Sequence, residues 1–240
     1  MNYEVELDTA GGRDQTEEAL LVTFKDGTKE RMRLHEYTRV YAIPGLYEEV
    51  VQDRLRCATP AKLAELLVAH SSGAGIEPSE LAVFDLGAGN GVVGDELRER
   101  GVETVLGSDN IAAARDAAIR DRPDLYEEYL VGDTDDLPEV PALVRERRLN
   151  GLVAAGALGL GHISAESFHR LWGLFGNGAW FAVSLHEDLV DPGASDFASY
   201  LEEFERRPEW GAIVARERYR HRLTMAGDPI HYIAVVAHKP

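Results

Sequence analysis

One cysteine, Cys57, is all the sequence contains. An internal disulfide framework is therefore excluded, and a reducing, cytoplasmic setting is expected. Cys57 itself reads as a small buried residue rather than a nucleophile. Long apolar runs are missing too. None approaches the roughly 20 residues of a membrane span, so no membrane partner is expected, and the acidic start Tyr3-Glu4-Val5-Glu6 is unlike the basic leader of a signal peptide. Basic residues are scarce: 25 Lys and Arg stand against 42 Asp and Glu, a formal net charge of −17. Sequence-independent binding of nucleic acid depends on basic surface, so no nucleic-acid partner is expected. Metal-ligand spacing is also absent, because the eight histidines include no i, i+4 pair and one cysteine cannot form a thiolate cage. What remains is a chain suited to a small-molecule substrate or a basic partner, with no metal. Its oligomeric state is not written in these features.

The 240 residues allow one large α/β domain with a modest extension. The most informative stretch runs from Leu81 to Gly94. Leu81 to Leu86 reads as a buried strand of a parallel sheet. A glycine-rich turn follows, and Val92, Val93 and Leu97 then take helical spacing. Strand, glycine turn and helix in that order place a tight turn at the carboxyl edge of a sheet, where α/β folds bind ligands. Glycine lets the backbone approach a ligand and take positive φ. Asn90 occupies the expected N-cap. Two frames fit the letters. Gly89-Asn90-Gly91-Val92-Val93-Gly94 matches the dinucleotide pattern G-x-G-x-x-G, a weak signal alone. One step earlier, Asp85-Leu86-Gly87-Ala88-Gly89-Asn90-Gly91 puts a carboxylate at the strand end, which repels a pyrophosphate and welcomes an ammonium.

The second frame resembles the first motif of class I S-adenosylmethionine-dependent methyltransferases, and later segments extend the resemblance over residues 37–240. Glu103 to Asn110 reads as the next parallel strand. Asp109 at its carboxyl end, with Asn110 beside it, is placed to accept hydrogen bonds from ribose hydroxyls; the competing reading is a surface aspartate capping the helix from Ile111. Leu106-Gly107-Ser108-Asp109 resembles the family's second motif. Glu127 to Gly132 reads as a third strand, and Gly132-Asp133-Thr134-Asp135-Asp136-Leu137-Pro138 resembles the family's Gly-Asp-x-x-x-Leu-Pro loop. The resemblance implies that Asp133 meets the adenine amino group and that the Thr134 amide meets a ring nitrogen. Asn150 to Ala155 is the fourth strand, and the small residues from Gly156 leave room for the methionine part and the reacting methyl. Ser164 is expected to cap a helix that buries Phe168, Leu171, Trp172 and Phe175. Ala179 to Leu185 is strand five, Phe197, Leu201 and Phe204 mark a helix, and residues 216–225 and 230–238 form a closing antiparallel hairpin. The Gly161-His162-Ile163 and Arg218-Tyr219-Arg220-His221-Arg222 segments are similar to the Williams–Beuren-region methyltransferase group.

The expected fold is α/β: a doubly wound seven-stranded sheet, mostly parallel with a C-terminal antiparallel hairpin, in residues 37–240. Residues 1–36 form an N-terminal β-hairpin extension, because Asp26-Gly27 is a two-residue turn signal between residues 19–25 and 28–34. Residues 8–18 read as a mobile loop. Thr59-Pro60 reads as an N-cap followed by a first-turn proline. The aromatic segment His35 to Tyr47 either packs on the core or covers the ligand. The resemblance implies the second, with Tyr41 and Tyr37 as a lid.

Methyl transfer is an in-line displacement that relies on positioning, and a base is needed only if the nucleophile arrives protonated. His162, past strand four, and His186, past strand five, are the candidate catalytic residues, against the alternative that each is an ordinary loop histidine. The cofactor set implied is Tyr41, Asp85, Gly87, Ala88, Gly89, Asn90, Asp109, Asn110, Asp133, Thr134 and Gly156, holding S-adenosylmethionine (SAM) and its product S-adenosylhomocysteine (SAH). The reaction expected is methyl transfer to an oxygen or nitrogen of a small molecule. The alternatives are an NAD(P)-linked oxidoreductase and a non-catalytic SAM-binding module.

Overall fold

Alternation of Tyr3, Val5 and Leu7 with Glu4 and Glu6 makes an N-terminal strand, β1 (Tyr3–Leu7), in the computed structural model, which describes residues 2–10, 15–159 and 161–240. β1 pairs antiparallel with β2 (Ala19–Phe24), and β2 with β3 (Lys29–Arg33). The Asp26-Gly27 hairpin is present: Asp26 Oδ1 accepts from the Thr28 amide at 2.9 Å, and Gly27 has φ +86°. The expected hairpin is thus two arms of a three-stranded sheet. The mobile-loop reading of residues 8–18 is corrected at its end, because Glu18 is buried. Residues 11–14 lie outside the described residues.

The chain then lays α1 (Tyr37–Ala42) and a π-helical turn, Glu48–Arg54, beside the main body before entering α2 (Thr59–Gly73). The main sheet follows. Its members are β4 (Ala82–Leu86), β5 (Thr104–Asp109), β6 (Tyr129–Val131), β7 (Gly151–Ala154), β8 (Trp180–His186), β9 (Ala212–Leu223) and β10 (Pro229–His238). They lie in the order β6-β5-β4-β7-β8-β10-β9. Every pairing from β6 across to β8 is parallel, while β10 runs antiparallel to both β8 and β9. β4 is central, and the chain winds outward from it in both directions, so the crevice between β4 and β7 is the topological switch point. The helices between strands are α3 (Val92–Glu99), α4 (Ala112–Asp121), α5 (Val140–Glu146), α6 (Ala165–Gly173) and α7 (Asp196–Arg206).

Strand side chains alternate between faces. Phe84 and Leu86 face α5, α6 and α7, in a core that holds Phe168, Trp172, Phe181 and Phe197. Each such side chain contributes about 1.5–3 kcal/mol on burial. Val83 faces α2 and α3, with Leu63, Leu67, Val93 and Leu97. Ser164 caps α6 as expected, its side chain accepting from the Ser167 amide. No helix among the described residues is long and apolar enough to cross a membrane.

Candidate functional site

The glycine turn after β4 is closed by its own backbone. The Gly87 and Ala88 amides both donate to the Ser108 carbonyl, at 2.8 and 2.9 Å, which sews the turn to the end of β5. The Gly89 amide donates to Asp109 Oδ2 at 3.0 Å, and the Tyr129 hydroxyl donates to the Gly89 carbonyl at 2.6 Å. Gly87 has φ +71°, and a Cβ there would lie 2.4 Å from the Ala157 Cβ; at Gly89, φ +56°, it would lie 2.6 Å from the Tyr41 hydroxyl. Only glycine leaves this crevice open. One expectation needs correction. Asn90 does not cap α3: the cap position is Gly91, with φ +94°, and it supplies no side-chain bond. The left-handed Gly91 shifts the helix start by one residue, and Asn90 Nδ2 donates to Glu48 Oε1 at 3.1 Å instead.

A cavity of about 470 Å³ opens over the ends of β4, β5 and β6, bordered by Gly87, Asp109, Asn110, Asp133, Thr134 and Gly156. Asp109 answers both of its sequence readings. Its Oδ1 accepts from the Ile111 amide at 2.9 Å, the helix-capping bond, while the carboxylate also borders the cavity. Each carboxylate oxygen keeps a further lone pair for a ligand hydroxyl. Burial pushes the Asp109 pKa up against these amide donors. Asn110 Nδ2 donates to Asp133 Oδ1 at 3.1 Å and so orients the acidic loop. Asp135 is held by Arg170 and Ser167, at 2.5 and 2.6 Å, and its pKa is lowered by the Arg170 guanidinium.

A second cavity, of about 730 Å³, continues from the first beneath α1 and is bordered also by Gln15, Thr16, Leu34 and His35, which flank strands of the N-terminal sheet. Tyr37, Tyr41, Gly87, Gly156 and His162 border both. The Tyr37 and Tyr41 rings stack with centroids 5.9 Å apart, Tyr41 and Tyr47 lie at 4.9 Å, and His162 tilts toward Tyr37 at 6.4 Å. Arg120 Nη1 donates to the Tyr41 carbonyl at 3.1 Å and fixes α1 on α4. Ala88, Gly89, Asn90 and His186 border only the second cavity. The Gly156 amide donates to Ser184 Oγ at 2.8 Å, which holds the strand-end turn. His186 Nδ1 accepts from the Asp188 amide at 3.3 Å.

Asp85 is the residue of the expected cofactor set that borders neither cavity. Strand alternation turns it to the Val83 face, under α3, where it is fully buried and accepts from the Tyr126 hydroxyl at 2.7 Å. Burial raises its pKa to about 7. A group sealed in this way cannot receive a ligand ammonium directly.

The second cavity also holds residues that sequence reasoning missed: Thr59, His221, Arg222 and Tyr232. Thr59 is not the cap of α2, which is Ala58. Its hydroxyl bonds instead with the Tyr219 hydroxyl at 2.8 Å and His221 Nδ1 at 2.5 Å. Burial, aided by the Arg222 charge, lowers the His221 pKa to about 3, so the ring is neutral. It stacks on Tyr232 at 4.1 Å. The available signal was the alternation of Arg218, Arg220 and Arg222 with Tyr219 and His221, which puts an aromatic row on one face of β9.

No protein-family model matches the chain, and no curated protein matches its sequence. Solved structures do match. A protein solved with the Trm112 methyltransferase activator of Haloferax volcanii superposes at a TM-score of 0.56, with 16% identity over 85% of this chain and 98% of that one. A TehB-like SAM-dependent methyltransferase from Corynebacterium glutamicum gives 0.52, with 18% identity over 86% and 100%. The magnesium protoporphyrin IX methyltransferase of Synechocystis, crystallised with bound SAM, gives 0.52, with 16% identity over 85% and 90%. The chain has the Rossmann-like methyltransferase fold of these structures.

Proposed function

We propose that the protein is a SAM-dependent methyltransferase that moves a methyl group to an oxygen or nitrogen nucleophile of a small molecule. The observation that carries this reading is the joining of two cavities at one junction bordered by Gly156, His162 and Tyr37. A cofactor with its adenosine end in the first cavity and its other end along Ala88, Gly89 and Asn90 at the edge of the second would meet an acceptor in the rest of the second. The residues fit SAM: glycines that a Cβ would close, a ribose-ready carboxylate in Asp109, and a loop acid in Asp133 beside Asn110. Asp85 acts from beneath, as the buried partner of Tyr126, and not as a ligand contact.

When bound, SAM supplies an electrophilic sulfonium methyl: the acceptor's lone pair forms the new bond to carbon, the carbon–sulfur bond breaks, and its electron pair stays on sulfur. The protein's own part is positional. Asp109 and the Asp133 loop hold the adenosine end, and the tyrosines of α1 exclude water from the junction. His162 borders both cavities, and in this reading its imidazole takes the acceptor's proton. His186 lies further from the junction, among residues of the second cavity alone, and suits acceptor binding. A net charge of −17 favours a small acceptor over a nucleic acid.

Calorimetric titration with SAH, with NADH in parallel, tests the reading. SAH is expected to bind and NADH not. Asp109→Ala removes charge-assisted hydrogen bonds worth about 1.5–3 kcal/mol, so SAH affinity should fall roughly 10- to 100-fold; Asp133→Asn should lower it less. Binding of NADH alone would return the glycine turn to the dinucleotide pattern and remove the methyltransferase reading.

A further inference from the structure

The second cavity has a charged floor. The side chains of Arg222 and Glu18 are 4% and 5% exposed and form an ion pair at 2.6 Å between the end of β9 and the entry to β2. Burying such a pair is seldom a gain in stability over apolar residues of the same volume. Its placement suggests another use. Arg222 borders the cavity and Glu18 does not. Glu18 is spent on the structural side, its Oε2 on Arg222 Nη2 and its Oε1 on the Met225 amide at 2.6 Å. Arg222 Nη1 also donates to the Leu223 carbonyl at 2.8 Å. A guanidinium carries five N–H donors, and these bonds use two. Among the described residues bordering the second cavity, Arg222 is the only arginine or lysine. Its charge favours ionisation of Tyr37, Tyr47, Cys57 and Tyr232 against the burial that opposes it.

We propose that Arg222 anchors a carboxylate of the methyl acceptor, so that the substrate is a small monocarboxylic acid with a flat apolar body. This rests on the methyltransferase reading above. The planar fork of a guanidinium matches a carboxylate in two parallel hydrogen bonds. A monoanion is favoured over a dianion. Glu18 offsets the arginine's charge, so a carboxylate is held by the unused N–H donors. The second charge of a phosphate monoester adds repulsion from Glu18 with no further cation to offset it. The flat body follows from the walls: His221 stacked on Tyr232 with 25° between planes, and Tyr37 on Tyr41 with 21°. Arg222 borders the second cavity and not the first. The anchored carboxylate is therefore not the methylated group. The accepting oxygen or nitrogen sits at the other end of the molecule, by His162.

Cinnamate and its neutral analogue cinnamamide, titrated calorimetrically into the full chain with and without saturating SAH, provide the test. Cinnamate should bind about tenfold or more tightly than the amide, the difference a charge-assisted bond makes, and phenyl phosphate should bind more weakly than cinnamate. Glu18→Gln frees the guanidinium from its competing carboxylate and should tighten cinnamate several-fold. A purely structural ion pair would instead give weaker or unchanged binding. The double variant Glu18→Gln/Arg222→Met leaves no unpaired charge, and should keep SAH affinity while losing the preference for acid over amide. Equal binding of cinnamate and cinnamamide, no binding of either, or a preference that survives the double variant overturns the anchor. Cinnamate binding without SAH binding keeps the anchor and removes the methyltransferase reading.

Discussion

The two cavities are built by different means. The first is made at the carboxyl ends of β4, β5 and β6, where backbone amides of the glycine turn are sewn to Ser108 and Asp109. Its parts come from consecutive strand–turn–helix units. The second shares the glycine turn, with Ala88, Gly89 and Asn90 on one wall, but its other walls are side chains brought from far apart: Glu18 meets Arg222 across 204 residues, and Thr59 meets His221 across 162. A site made of backbone turns comes with the fold. A site made of side chains can be rebuilt while the sheet stays the same. On the proposed reading, the choice of acceptor would belong to β9 and the segments flanking the N-terminal sheet, and the choice of cofactor to the strand ends.

The hardest way to break that division is at Gly87. Valine there would need φ near +71° and would place its Cβ 2.4 Å from that of Ala157. A β-branched residue at positive φ costs about 1–3 kcal/mol in strain alone, and the contact adds to it. Gly87→Val should lower SAH affinity by about 100-fold or more, with the N-terminal sheet still folded and near-ultraviolet circular dichroism retained. Unchanged SAH binding would mean that the first cavity is not the cofactor site.

This division also explains what the sequence made legible. Alternation and turn letters located all seven strands of the main sheet, the closing hairpin and the Ser164 cap, because each is a local pattern. Asp109 and Asp133 were legible because each sits at a strand end. Asn90 and Thr59 were misread as caps: the positive φ of Gly91 moves one helix start, and the neighbours of Thr59 on β9 claim its hydroxyl. Asp85 carried the expected motif letter, yet strand parity sends it under α3. Glu18, His221 and Arg222 gain their roles only from tertiary neighbours, which no local window contains. β1 is the one missed strand that period-two alternation did announce.

The two regions also respond to pH in opposite senses. Asp85, on the sheet side, has its pKa raised from 3.8 to about 7 by burial, which outweighs the hydrogen bond from Tyr126. Its stabilising contribution is full below about pH 4 and is lost as pH rises to about 7. His221, on the acceptor side, is lowered from 6.5 to about 3. Its contribution is full above about pH 6.5 and is lost as pH falls toward 3. Between about pH 4 and 6.5 the two slopes oppose each other. Asp85→Asn keeps an acceptor for Tyr126 and removes the buried charge. It should stabilise the protein at pH 8, by an upper bound of about 4 kcal/mol for a shift of about 3 units, and do little at pH 4. Thermal melts across this range check it, and a variant less stable than wild type at pH 8 would show that ionised Asp85 is a favourable part of the fold.

The smallest effect expected lies where the two regions touch. Glu48, on the π-helical turn, accepts from Asn90 Nδ2 at 3.1 Å and also pairs with Arg122 Nη1. Arg122 reaches the Asn90 carbonyl at 3.2 Å and Asp95 at 3.0 Å. One carboxylate thus ties the tyrosine segment to the glycine turn. Glu48 is 32% exposed, and partly exposed ion pairs contribute about 0.2–1 kcal/mol. Glu48→Gln keeps one hydrogen bond and removes the charge, so SAH should dissociate roughly two- to fivefold faster in stopped-flow, with cinnamate affinity unchanged. If cinnamate weakens by the same factor, the tyrosine segment closes both cavities together, and the boundary between cofactor and acceptor regions must be drawn beneath it and not through it.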